Sequence, residues 1–213
     1  MSEDGLPQVL LEGLQARMRA RYGAAMTFAP GLTTAEFQRL EDQFDLRFPP
    51  DLRSWLRFTL PIHDSFPNWR ADTAHELQWT HDYLFDGIWG DIDDYGPWST
   101  PQYTYPAGHP ISPAWPAAWG PLPAEREVAY TIFCEQFARA PRLIRLDGHR
   151  FLPDRPLLAG NPVFSIVQTD IIHLAANLPN LFTSSYGDSR WRQAMAHVRS
   201  IEFWTDLAGL NSG

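Results

Sequence analysis

Gln168, Thr169 and Asp170 stand between an apolar run, Val163 to Val167, and the resumption at Ile171 and Ile172, inside GNPVFSIVQTDIIHLAANL (residues 160 to 178). An amide, a hydroxyl and a carboxylate at that spacing could act as acid, base or oxyanion donor in a pocket. They could also close a bend between two strands, because Asp and Thr side chains routinely satisfy backbone groups where the chain reverses. The second reading is preferred. A buried Asp170 needs partners, and His149 and Arg150 in the preceding segment are the ones on offer. Gly160-Asn161-Pro162 reads as a turn at the strand entry, with Asn161 pushed to extended backbone by the proline after it. His149, Arg150, Asn161, Gln168, Thr169 and Asp170 are therefore expected to be structural, and no catalytic residue is assigned.

Other constellations carry less. Ser165, His149 or His173, and Asp170 make a hydrolase triad on paper, but Ser165 lies in an apolar run with no G-x-S-x-G elbow. Cys134 follows Phe133 on an expected helix and has no charge pattern that would lower its pKa. DIDDYG, residues 91 to 96, opens like a calcium loop, yet the fifth and twelfth positions would be Tyr95 and Gln102, where oxygen ligands are required. Asp91, Asp93 and Asp94 make a weaker candidate calcium site. His75 and His81 have a poor zinc spacing and no cysteine beside them. No metal and no cofactor are expected.

The charge distribution says more. No Arg or Lys falls between Arg70 and Arg126, while Asp72, Glu76, Asp82, Asp86, Asp91, Asp93 and Asp94 do. Trp79, Trp89, Trp98, Trp115, Trp119, Tyr83, Tyr95, Tyr103 and Tyr105 share that interval. Rings are ordinary core residues and acids ordinary surface. Segregated acids beside rings nevertheless suit a cationic partner: carboxylates steer the encounter and one or two aromatics supply the binding energy. The expected partner-binding residues are Asp82, Asp86, Asp91, Asp93 and Asp94 with Trp89, Tyr95 and Trp98. The partner would be a basic protein. Acidic character opposes direct nucleic-acid binding.

These groups must be positioned by elements that the patterning predicts. Residues 6 to 22 read as an amphipathic helix with Leu10, Leu14 and Met18 on one face. Residues 33 to 45 form a second helix, with a Thr33/Glu36 capping box and Leu32 stapled onto Phe37. Pro49-Pro50-Asp51 opens a third, carrying Leu52, Trp55 and Leu56, which Pro61 ends. Residues 72 to 78 suggest a short helix, 83 to 98 short strands and turns, and 99 to 123 a proline-rich irregular connection. A helix over 124 to 139 points Val128, Ile132 or Phe133, and Phe137 inward. Asp147-Gly148 signals a type I′ hairpin. Strands follow at 163 to 167 and 170 to 174, then helices at 175 to 182 and 188 to 199. Helices first and a mostly antiparallel sheet afterwards predict an α+β fold.

The chain's 213 residues suffice for a full core without staples. All 17 basic residues are arginine, and the net charge is −8. No apolar run reaches the length of a membrane span, MSEDGLPQVL does not read as a signal peptide, and a single cysteine suits a reducing compartment. A cytoplasmic protein without membrane contact is expected, and no oligomeric state is indicated.

GLTTAEFQRLEDQFDLRFPPDLRSWLRF (31 to 58), APRLIRLDGHRFLP (140 to 153) and GNPVFSIVQTDIIHLAANLPNLF (160 to 182) together resemble the SUKH superfamily, the Smi/Knr-like proteins. IEFWTDL (201 to 207) is a weaker fourth match. The chain departs from the pattern at Leu60-Pro61, where many members carry Asn-Gly, and at 99 to 123, which has no counterpart. The resemblance implies N-terminal helices packed on a mostly antiparallel mixed sheet. It implies one domain over 1–213, with 1–30 a helical extension and 99–123 an irregular insertion. It also implies a non-enzymatic bacterial immunity protein that neutralises a toxin, often a nuclease. A regulatory scaffold without a toxin partner is the alternative, and a hydrolase a remote one.

Overall fold

The expected first helix forms as α1 (Gln8–Tyr22), but its buried face is Leu11, Leu14 and Met18, with Leu10 half-buried. The computed structural model describes residues 5–70, 74–99 and 114–210, of which 74–80 by backbone alone. Strand β1 (Thr27–Pro30) leads into α2 (Thr34–Phe44). The expected capping box forms there: the Glu36 amide donates to Thr33 Oγ1 at 3.2 Å, and the Thr33 amide donates to Glu36 Oε2 at 2.7 Å. Helix α3 (Pro50–Phe58) starts at its proline and buries Leu52, Trp55 and Leu56.

Pro61 does not end α3. The helix closes at Phe58 because the chain turns straight into β2 (Thr59–Ile62), which pairs antiparallel with β1. Pro61 sits inside that strand, tolerated because a two-stranded ribbon leaves an outer edge where no N–H is needed. Gly31 lies where the chain leaving β1 meets the end of α3. A Cβ there would fall 1.8 Å from the Arg57 carbonyl oxygen.

Residues 83 to 98 are not strands and turns: they belong mostly to α4 (Ala74–Tyr95), a single helix of 22 residues that also takes in residues 74 to 78 of the short helix expected at 72 to 78, whose first two residues lie outside the described ones. Leu84, Ile88 and Ile92 recur at i+4 and are buried, and that stripe outweighs the propensity cost of Gly87, Gly90 and the aspartates. A short 3₁₀ turn at Ala117–Trp119 precedes α5 (Arg126–Arg139). Its buried face is Ala129, Phe133 and Phe137; Val128 points to solvent.

Strands β3 (Leu143–Asp147), β4 (Arg150–Pro153), β5 (Val163–Val167) and β6 (Asp170–Ala175) then form a four-stranded meander in that order. Every described pairing is antiparallel, so the sheet is not mixed. The β3–β4 hairpin is shifted by one residue: Asp147 pairs with Arg150, and Gly148 and His149 are central. Only Gly148 has positive φ, 48°, which replaces the expected type I′ geometry. Helices α6 (Leu178–Thr183), α7 (Ser189–Met195) and α8 (Trp204–Leu210) complete the α+β fold.

Period-2 alternation divides the core between the two faces of the meander. Ile144, Leu152, Val163 and Ala175 join a cluster with α1, α2, α3 and α6. Leu143, Phe151, Phe164 and Ile171 join one with α4, α5 and α8. Helix α7 lies over the outer strand, where the Trp191 indole donates to the Leu174 carbonyl at 2.8 Å. Among the described residues no helix is long and apolar enough to cross a membrane.

Candidate functional site

An α-helix turns about 100° per residue, which sorts the acids of α4 by direction. Leu84, Ile88 and Ile92 define its inner side. Asp82, Asp86 and Asp94 lie on the outer side and are exposed, with Gly90 completing the i+4 series. Asp93 is one residue around from that series, Tyr83 flanks it at 43% exposure, and Asp72 and Glu76 lie outside the described side chains.

Asp91 and Asp93 are engaged within the chain. Asp91 faces the β5–β6 hairpin, where its Oδ2 accepts from the Thr169 amide at 3.1 Å and from the Thr169 hydroxyl at 2.5 Å. Asp93 receives Arg126 through Nε at 2.6 Å and Nη2 at 2.5 Å, and the Trp98 indole N–H at 2.9 Å. Those bonds, led by Arg126, hold the Asp93 carboxyl below its ordinary range. The first cation after the long acidic stretch therefore folds back onto it.

The rings divide in the same way. Trp89 is 9% exposed and packs on Phe133 and Tyr130, with the Arg126 guanidinium 5.6 Å from its ring centre. Trp98 is half-buried in the same cluster, and Tyr95 is half-buried on the inner half of α4. The rings open to solvent are Tyr83 and, from the neighbouring helix, Tyr130 at 41% exposure. Tyr130 escaped the sequence reading because it belongs to α5, outside the acidic interval. What places it beside α4 is its contact with Trp89, at 4.8 Å between ring centres.

The polar triplet holds a bend. Val167 pairs with Asp170, so Gln168 and Thr169 are the two central residues of the β5–β6 hairpin, and Gln168 adopts left-handed φ of 54°. Asp170 is exposed, not buried, and Arg150 is not its partner. Arg150 Nη1 instead donates to both oxygens of Asp147, at 2.9 and 2.8 Å, and to Tyr22 Oη at 3.1 Å. The Tyr22 hydroxyl also donates to Asp147. Burial, followed by that carboxylate, pushes the Tyr22 phenol up to about 12. His149 is exposed at the hairpin tip, where its carbonyl accepts from the Ile166 amide at 3.0 Å.

Asn161 is fully buried and ties three segments together. Its Nδ2 donates to the carbonyls of Pro153 and Pro156 at 3.1 and 2.9 Å, and its Oδ1 accepts from Arg199 at 2.5 Å. Beside it, buried Asp51 accepts from the Gly160 amide at 2.9 Å and the Leu52 amide at 3.0 Å. Desolvation raises the Asp51 carboxyl despite these bonds.

The paper triad does not assemble. Phe164 pairs with His173 and Ser165 with Ile172, so Ser165 and His173 project from opposite faces of the sheet. His173 stacks on Phe164 at 4.7 Å, and burial lowers its pKa. Asp91, Asp93 and Asp94 radiate from a helix in different directions, and no group of three metal-ligating side chains converges among the described residues. Cys134 is half-buried on α5. His81 is half-buried against Phe137, at 4.9 Å between ring centres, and His75 lies outside the described side chains.

Comparison with protein-family profiles, curated proteins and solved structures returned no match.

Proposed function

We propose that this chain is a non-enzymatic binding protein of the SUKH type, a bacterial immunity protein that neutralises a basic, nuclease-like toxin through the outer side of α4. The observation that carries this reading is the alignment of Asp82, Asp86 and Asp94 at i+4 spacing on one exposed helix face. Helical geometry turns acids scattered in sequence into one stripe. Tyr83 and Tyr130 beside the stripe are exposed rings of the kind that dominate interface energetics. Asp91, Trp89 and Trp98 support the stripe from within and leave the recognition set; Asp93 marks its edge with Arg126 beside it.

Substituting Asp82→Arg, Asp86→Arg and Asp94→Arg together tests the proposal. These side chains are exposed, so circular dichroism and thermal unfolding stay near those of the parent. Titrated against a basic nuclease toxin encoded beside this gene, the triple variant loses binding and protection. Steering by such a field raises association about 10- to 1,000-fold, so the parent's association rate falls as salt rises and the variant's does not. Equal toxin affinity in parent and variant overturns the assignment of this face.

A further inference from the structure

Beside the buried Leu11, Leu14 and Met18 stripe of α1 runs a second row of side chains. Leu10 and Leu14 continue, at the spacing of a single helix face, into Arg17 and Arg21. Both arginines are exposed, and they line a groove of about 360 Å³ between α1 and the segment that follows α6. Leu174 and Phe182 supply apolar floor, and Ser184 and Tyr186 form the far wall. The Tyr186 ring is 59% exposed and is braced by Trp191 at 4.7 Å between centres.

Like charges one helical turn apart are mutually unfavourable. In a chain with net charge −8, carboxylates are plentiful, yet among the described residues no acid lies within ion-pair distance of Arg17 or Arg21. Asp188, in the connection beyond the groove, is turned to the Ser185 and Trp191 amides at 2.8 and 2.6 Å. Both arginines thus line one ring-walled pocket, with no paired carboxylate among the described residues.

We infer that this groove binds a small organic phosphomonoester, with its phosphate on Arg17 and Arg21 and its apolar body between Phe182 and Tyr186. Two guanidinium forks match a dianion with three terminal oxygens, whereas one fork already satisfies a carboxylate. The volume lies in the range of small-ligand sites. The groove sits on the α1 side of the meander, in the opposite layer from α4, so this inference does not rest on the toxin-binding reading.

Calorimetric titration of the full chain with phenyl phosphate tests it. Saturable one-to-one binding is expected. Phenol, inorganic phosphate and phenylacetate should each bind at least about tenfold more weakly. Arg17→Gln with Arg21→Gln should weaken phenyl phosphate by a similar factor while circular dichroism is unchanged, as both side chains are exposed. Tyr186→Ala should weaken phenyl phosphate and leave inorganic phosphate unaltered. The inference is overturned if phenyl phosphate does not bind, or if the double variant binds it like the parent. Phenol, inorganic phosphate or phenylacetate matching phenyl phosphate would also overturn it.

Discussion

Tyr22, Asp147 and Arg150 illustrate how a single phenol can join distant parts of the chain. Tyr22 ends α1, and its hydroxyl reaches the hairpin between β3 and β4. Its phenol keeps its proton up to about pH 12 in the folded state, whereas an unfolded tyrosine ionises near pH 10. Between those values the folded state binds more protons, so stability falls as pH rises. Tyr22→Phe should flatten the decline in urea midpoint across that window, and an unchanged slope would place the titration elsewhere. Asp91 gives a second test at this scale. Asp91→Ala breaks two hydrogen bonds to Thr169 and should cost about 1–3 kcal/mol in chemical denaturation. Toxin affinity per folded molecule should stay within about threefold, well short of the tenfold that 1.4 kcal/mol represents. Of the residues assigned to structure, Gln168 and Thr169 were legible as a bend because turn chemistry is local, whereas the long-range bonds of Thr169 to Asp91 and of Asn161 to Arg199 were not. The partner of Arg150 was not, since nothing in one dimension reveals that Asp147 is buried beside Tyr22.

At the scale of the element, α4 shows why local propensity misleads. Gly87, Gly90 and a run of aspartates all disfavour helix, and DIDDYG imitates a turn. The Leu84, Ile88 and Ile92 spacing was present in the sequence and proved decisive, because burying three aliphatic side chains outweighs several residues of weak propensity. Gly90 is an unneeded weakness: it has no positive φ, and an added Cβ would meet nothing within 4 Å. Gly90→Ala should therefore stabilise the protein by about 1 kcal/mol, read as a higher denaturant midpoint at unchanged slope. Gly31→Ala should do the opposite, costing about 1–3 kcal/mol or unfolding the chain, because Arg57 backbone blocks the new methyl. Where periodicity and capping agreed, as in α2, the expected boundaries and the cap both formed. In α5 the inner face moved by one residue, since Val128 and Ala129 cannot be ranked without knowing what Trp89 and Phe203 leave room for.

For the whole molecule, the meander is the shared wall of two apolar layers. Adjacent residues on β4, Phe151 and Leu152, belong to opposite layers. Phe151→Ala and Leu152→Ala should each cost about 2–5 kcal/mol and lower the same single transition, seen identically by tryptophan fluorescence and circular dichroism. Separate transitions would mean that the layers fold independently. The α+β class and the strands from β3 to β6 were readable from where helical spacing gives way to alternation, whereas the β1–β2 ribbon and the helical course of α4 were not. The assignment of α4 and α1 to opposite layers was not, because it depends on which sheet face each helix covers.

The indole of Trp191 on the Leu174 carbonyl also has a bearing on assembly. With the Leu174 carbonyl already engaged, a neighbouring polypeptide cannot run an unbroken further strand along that flank. Recognition at that point proceeds through shape and side-chain chemistry, which a visiting molecule has to match, whereas backbone pairing accepts almost any sequence.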